Sequence, residues 1–425
     1  MKVTLINTSD AGGGAPQACM RLLKALRIKQ VDARLLVQEK STTNESVQTS
    51  DPGFWGRLKA SYRFFRERVP FILFNAEERS VRFAFSTGIV GTNISNHQLV
   101  ERADVLHLHW TNQGFLSINN LKRLARLGKP VIWTLHDMWA FTGGCHYSGD
   151  CDHFMRHCGY CWMLRDPAGK DLSNKGWIRK MHLFEDVNSI VFVTCSHWLA
   201  KQARASSLLQ GYRIETIPNP IDTDIFLPRP ANPLRQKWQI AEDKKIILFG
   251  AANIMDRRKG IVYLVEALGH LKNDYPRTED IEIVIFGKNK AFDTALLPFK
   301  VYELGIINNQ QDMAGLYNLA DAFVTPAIED NLPNTVMEAL ASGTPVVAFN
   351  TGGIPDMVDH LQNGYLARYK SPADLAAGIN FVLNNTNTAA LAENARNKVM
   401  QNFTNEIVAE KYMSLYQSLL TDGAI

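Results

Sequence analysis

Short apolar runs rich in β-branched residues alternate with helical patterns along nearly the whole of this 425-residue chain. A parallel strand must return through a crossover long enough to hold a helix, so this alternation predicts parallel sheets wrapped by helices. In the first half, strands are predicted at Val3–Asn7, Arg34–Val37, Val105–His109, Val131–Leu135 and Ile190–Thr194, with helices at Ala18–Lys29 and Ile118–Leu127. The pattern breaks at Ile217-Pro-Asn-Pro-Ile-Asp222, where two prolines can continue neither a helix nor a central strand. It restarts with strands at Ile246–Phe249, Ile283–Phe286, Ala322–Thr325 and Val346–Phe349. Helices are predicted at Ile261–Asn273, Met313–Ala320, Asn334–Ala341 and Pro372–Leu383.

A chain of this length exceeds what one hydrophobic core supports, so two α/β domains are expected around a hinge. The expected division is 1–217 and 218–403, with 404–425 forming a C-terminal helix that packs back on the first domain. Hydrophobic residues make up 46% and charged residues 21%, and the net charge is +4. That balance suits an anionic small ligand or a membrane surface and is too weak for a nucleic-acid binder. The N-terminal apolar run Val3–Ile6 is too short for a signal peptide, and no stretch nears the roughly 20 apolar residues of a membrane span. A cytoplasmic protein is expected.

Five segments carry the chemistry of an anion site. The first strand runs into Asp10-Ala-Gly-Gly-Gly-Ala-Pro-Gln17, where Gly12, Gly13 and Gly14 would let backbone amides approach an anion at a helix start. A bare strand-to-helix turn would call for the same glycines. The strand near 246–250 leads into Asn253-Ile-Met-Asp-Arg-Arg-Lys-Gly260, placing Arg257, Arg258 and Lys259 where a diphosphate could lie, or forming a solvated basic loop. Then come Pro326-Ala-Ile-Glu-Asp-Asn-Leu-Pro-Asn-Thr-Val-Met-Glu-Ala339, Ser342-Gly-Thr-Pro-Val-Val-Ala-Phe349 and Gly352-Gly-Ile-Pro355. Amides around Asn334 and Thr335, at the predicted helix start, would point at a cleft ligand.

In this order and spacing the segments resemble the family 4 retaining glycosyltransferases of the GT-B fold, two Rossmann-like domains facing across a cleft. The resemblance covers essentially the full length and is strongest from Ile217 to Leu366. It implies that Lys259, with Arg258 beside it, neutralises a donor diphosphate. It also implies that Glu338 binds ribose hydroxyls, that Asn334 and Thr335 offer amides to phosphate, and that Gly12 to Gly14 close on the phosphate. Two positions depart from the pattern. Asp330 stands where the first carboxylate is usually Glu, with Glu329 alongside, and Asn253 stands where an Arg is usual, leaving Arg257 or Arg258 to supply the charge. No carboxylate nucleophile is evident for a covalent route, and the resemblance implies retention by same-face attack, with leaving-group stabilisation the largest catalytic term. The family needs no metal for catalysis.

Val131-Ile-Trp-Thr-Leu-His-Asp137 ends a strand. The resemblance puts His136 near the transferred sugar, while Asp137 could accept a proton from the acceptor or cap the next loop. His107 and His109 alternate along a strand, as a metal pair or as a wall of the core. Asp222-Thr-Asp224 imitates a metal motif of another transferase fold, but its place in the hinge speaks against that role. Cys145, Cys151, Cys158 and Cys161 fall within 17 residues and read as a structural zinc set, reduced thiols or disulfides. Finally, Phe54, Leu58, Tyr62, Phe65, Val69 and Ile72 recur at helical spacing among Arg57, Lys59, Arg63, Arg66 and Arg68. Such a helix would lie on an anionic membrane, suiting a lipid-linked acceptor at the inner membrane surface, or pack on its own domain.

The expected activity is transfer of a hexose from a UDP- or GDP-linked donor to a saccharide or lipid-linked acceptor in surface polysaccharide biosynthesis, without nucleic acid. The alternatives are a catalytically weak GT-B subunit that binds nucleotide or a partner, and a nucleotide-sugar epimerase.

Overall fold

The computed structural model describes residues 1–74, 84–187, 189–230 and 232–422. The chain divides into two compact units, Met1–Asn219 with Val408–Ile425, and Pro220–Ile407.

Unit 1 holds β1 (Lys2–Ser9), β2 (Asp32–Glu39), β3 (Val47–Thr49), β4 (Val105–Leu108), β5 (Val131–Leu135), β6 (Ile190–Thr194) and β7 (Ile214–Thr216), in the spatial order β3-β2-β1-β4-β5-β6-β7. Every pairing is parallel. Alternation of side chains across the pleat sends Val3 and Leu5 to one core, and Ile6 with Leu106 and Trp133 to the other. Both faces are covered, which is why these strands read as continuous apolar runs. The terminal helix Asn405–Asp422 supplies Tyr412 and Tyr416 to the first core, beside the helix Gly14–Ile28.

Unit 2 holds β8 (Lys245–Asn253), β9 (Ile281–Lys288), β10 (Lys300–Glu303), β11 (Ala322–Thr325), β12 (Val346–Phe349) and β13 (Gly364–Ala367), ordered β10-β9-β8-β11-β12-β13 and again all parallel. Ile247, Phe249, Ile283 and Ile285 pack against the helices Ile261–Asp274 and Pro372–Leu383.

The strand order reverses between β1 and β4 in unit 1 and between β8 and β11 in unit 2. Crossovers leave such points on opposite faces, so the carboxyl ends of the strands open a crevice there. The glycine loop follows β1, the loop carrying Lys259 follows β8, and the Asp330 loop follows β11. In each unit the fold brings a motif to its switch point. No helix among the described residues is long and apolar enough to cross a membrane.

Candidate active site

In unit 2, three loops are tied together at the β8–β11 switch point. Asp256 caps the short turn Arg257–Lys259 through the Arg258 amide (3.0 Å) and pairs with the Arg258 guanidinium (2.6 Å). The amide of Ile328 donates to the Arg258 carbonyl (2.8 Å), the Gly353 amide to the Asp330 carbonyl (3.0 Å), and the Thr351 hydroxyl to the Ile328 carbonyl (3.2 Å). Held this way, Lys259 Nζ donates to Asp330 Oδ2 at 2.6 Å. Both side chains are mostly buried, so the ammonium is aimed rather than free to sweep through solvent.

The helix Asn334–Ala341 begins next to this pair with Pro333 as its N-cap residue and no side-chain cap. Asn334, Thr335 and Glu329 are half-buried there, whereas Glu338, one turn on, is buried. Its Oε2 accepts from the Tyr317 hydroxyl (3.0 Å), which fixes the carboxylate's direction. Tyr317 lies 21 residues away in sequence and carries no motif, so sequence reasoning missed it. Of the two arginines that follow Asn253, Arg258 is engaged by Asp256. Across the sheet, Asn253 is in register with Lys288, a cation that no motif singled out.

In unit 1, Gly12 and Gly13 take φ of +78° and +99° and lie exposed ahead of the helix Gly14–Ile28. At the ends of β4 and β5 three imidazoles line up. His107 hydrogen-bonds the Tyr416 hydroxyl through Nδ1 and the Thr134 hydroxyl through Nε2, both at 2.7 Å. Its ring centroid is 4.3 Å from that of His109, and His109 Nδ1 lies 3.0 Å from His136 Nε2. Beyond them Cys195 Sγ contacts His136 Nδ1 at 3.8 Å and Asn219 Oδ1 at 3.1 Å. His109, His136 and Asp137 border a cavity of about 10 Å³, room for roughly one water.

Asp137 accepts from Trp110 Nε1 (2.8 Å) and the Trp139 amide (2.8 Å) and lies 2.6 Å from His146 Nδ1. Burial would raise its pKa, but the His146 ring and these donors outweigh burial and hold the carboxyl below its usual range. Asp137 is thus a fixed anion that also caps the turn at Trp139.

Burial holds His107 at about 3 and His136 at about 4, and keeps His109 well below the ordinary 6.5. All three rings are neutral at neutral pH, so His136 can accept or donate a hydrogen bond but brings no charge. The unfolded chain takes up protons near pH 6.5 that the folded rings refuse until about pH 4 or below. Unit 1 therefore loses stability as pH falls through that window. The melting temperature is expected to drop steadily between pH 6.5 and 4; a flat profile would show that the trio is solvated.

All six cysteines are free thiols. Cys158 Sγ accepts from the Gly143 amide (3.1 Å), and Cys145 packs beside Cys161 and Phe85. Burial pushes Cys145, Cys158 and Cys161 up to about 12. Nearby, buried Lys180 donates to the Trp139 and Thr142 carbonyls and lies over the Trp139 ring, and burial lowers it to about 7. Among the described residues no group of three or more His, Cys, Asp or Glu is placed to hold a metal ion. Asp222 instead caps its own turn, accepting from the Asp224 amide.

A family model described as Glycosyltransferase Family 4 matches residues 12–225, and one described as Glycosyl transferases group 1 matches residues 231–398. The chain belongs to the family 4 glycosyltransferases. This glycosyltransferase is 24% identical over 360 residues to an uncharacterised glycosyltransferase of Methanocaldococcus jannaschii, covering 81% of this chain and 80% of that one. It is 26% identical over 219 residues to a lipopolysaccharide 1,2-N-acetylglucosaminetransferase of Salmonella typhimurium, covering 48% of this chain and 56% of that one. Among solved structures it superposes on sucrose-phosphate synthase of Thermosynechococcus elongatus (TM-score 0.68, 17% identity, 99% of each chain). An Anabaena protein in complex with UDP and glucose superposes with TM-score 0.64 at 17% identity, covering 98% of this chain and 100% of that one. These likenesses give the glycosyltransferase its GT-B type fold.

Proposed function

We propose that this glycosyltransferase moves a hexose, with retention of configuration, from a nucleoside-diphosphate sugar to a saccharide or lipid-linked acceptor in surface polysaccharide assembly. The observation that carries the reading is Lys259 aimed at 2.6 Å on Asp330, beside the uncapped start of the helix Asn334–Ala341 at a switch point. A diphosphate entering there meets a point charge and a helix N-terminus together. Lys259 and the amides at Asn334 and Thr335 stabilise the departing nucleoside diphosphate, and this electrostatic term supplies most of the rate. Glu338, oriented by Tyr317, takes the ribose. Asp330 and Glu329 face the sugar, and in unit 1 Gly12 to Gly14 contribute amides to phosphate. The neutral His136 hydrogen-bonds the sugar, and Asp137 keeps its surroundings anionic. The Anabaena complex with UDP and glucose favours UDP-sugars as the first donors to try.

The test is a thermal-shift screen across UDP-, GDP- and ADP-sugars, followed by assay of donor turnover. One donor class is expected to raise the melting temperature and to be consumed. Absence of both effects with every donor would overturn the proposal.

A further inference from the structure

The helix Gly53–Phe74 has two apolar faces, and only one of them is used by the fold. Its inner face carries Gly56, Ala60, Glu67 and Phe71, all buried. Phe71 stacks on Phe85 with centroids 4.9 Å apart, Glu67 Oε1 accepts from the Gly88 amide (2.9 Å), and Arg63 pairs with Asp51 (2.7 Å). The helix is therefore anchored to unit 1 without its outer face.

That outer face carries Phe54, Leu58, Tyr62, Phe65, Val69 and Ile72, which fall within an arc of roughly 80° at 3.6 residues per turn. Every one is exposed, from 46% at Val69 to 74% at Phe54, and Trp55 beside them is 71% exposed. The four aromatic side chains alone present on the order of 500 Å² at about 200 Å² each, as much as the largest apolar patch on an ordinary monomer. Arg57 and Arg68 fall on one side of the stripe and Lys59 and Arg66 on the other, each roughly 80–100° from its centre. The helix's one carboxylate, Glu67, faces inward.

We propose that this helix lies in the surface of an anionic phospholipid bilayer, with the apolar stripe among the acyl chains and the four flanking cations at the phosphates. Charge decides the occupant. A second copy laid on the stripe would set cationic flanks against cationic flanks, whereas lipid phosphates meet both flanks at once. Trp, Tyr and Phe along the stripe suit the headgroup boundary, where amphipathic rings settle. The inference does not rest on the transfer reading, since it concerns a face remote in sequence from Lys259 and His136.

The full chain is tested by co-sedimentation with vesicles of phosphatidylcholine alone or mixed with phosphatidylglycerol. Binding to the mixed vesicles is expected, weakening with salt, and falling about tenfold or more in Arg57→Glu with Arg66→Glu, at about one kcal/mol per cation and with the sign reversed at each. Phe65→Ser with Trp55→Ser removes two exposed aromatic rings at and beside the stripe and is expected to weaken binding about tenfold or more while leaving the melting temperature unchanged. The wild-type lipid and salt dependence stands even where a variant misfolds. Equal binding to both vesicles, no binding at low salt, or a concentration-dependent dimer abolished by Phe65→Ser would each overturn the proposal; the dimer would assign the stripe to a second copy.

Discussion

Replacing Lys259 with Ala is expected to lower kcat for the cognate donor by about 10²–10³-fold, the magnitude seen when one preorganised charge-stabilising donor is removed from a transition state. The ammonium is already oriented before any donor arrives, 2.6 Å from Asp330 and braced by a turn that Asp256 caps. No reorganisation is left to be done as the leaving group gains charge. The same variant should also lose some stability, because it leaves the mostly buried Asp330 carboxylate without its cationic partner. Lys259→Arg would keep the charge but spread it over a planar fork on a longer arm, and only part of the loss should be recovered. Steady-state kinetics of the two variants, read alongside melting temperatures, separates catalysis from folding. Full activity in Lys259→Ala would sink the donor site.

The second large effect is at Gly260, between Lys259 and the helix Ile261–Asp274. Its φ is +70°, and an added Cβ would sit 1.9 Å from the Pro326 carbonyl oxygen. Gly260→Ala should therefore cost roughly 1–2 kcal/mol for the left-handed backbone and about 1–3 kcal/mol for crowding against main chain that cannot swing aside. Against the roughly 5–15 kcal/mol that holds a domain folded, that is a large fraction. The loop can relieve the clash only by moving away from Pro326, which drags Lys259 from Asp330, so activity should fall together with stability. Gly269→Ala in the following helix is the control. Outside its own helix backbone and chain neighbours no atom lies within 4 Å of its added Cβ, and helix propensity predicts a gain of roughly 0.5–1 kcal/mol. Chemical denaturation of both proteins checks the contrast; equal stabilities would mean that the loop yields freely at Pro326.

The elements legible in the sequence were those buried on both faces. Val131–Leu135, Ile190–Thr194, Ala322–Thr325, Val346–Phe349, Asn334–Ala341 and Pro372–Leu383 form with the bounds their patterns imply. The helices Leu172–Glu185, His197–Ala205 and Thr388–Asn402 escaped notice, and the strands that did were short or at an edge. β3 and β7 have three residues each, too few to show a period, and β10 is a half-exposed edge strand whose Lys300, Tyr302 and Glu303 leave no apolar run. Lys259 and Asp330 were each legible from local chemistry, but their pairing across 71 positions was not. The same holds for His107 and Tyr416, 309 positions apart, whose hydrogen bond depends on a terminal helix returning to the first sheet. Local chemistry chooses residue types; only the fold's long crossings choose partners. The basic aromatic helix shows a third limit. Its sequence offered membrane contact or packing on its own domain, and two separate faces of one helix leave both open.

The return of the last helix has a further consequence for how such a protein can be rearranged. Unit 2 is an uninterrupted segment, Pro220–Ile407, whereas unit 1 is completed only by Val408 onward. Topologically the second unit is an insertion into the first. It can be lifted out or grafted from a relative as a cassette with two junctions, leaving Tyr412 and Tyr416 in place. Severing the chain once, at the proline-rich junction, would instead strip both tyrosines from the first sheet and leave His107 and Thr134 buried without the hydroxyls that now bond them. Recombination among glycosyltransferases built this way should favour paired crossovers flanking the inserted unit over a single one between the halves.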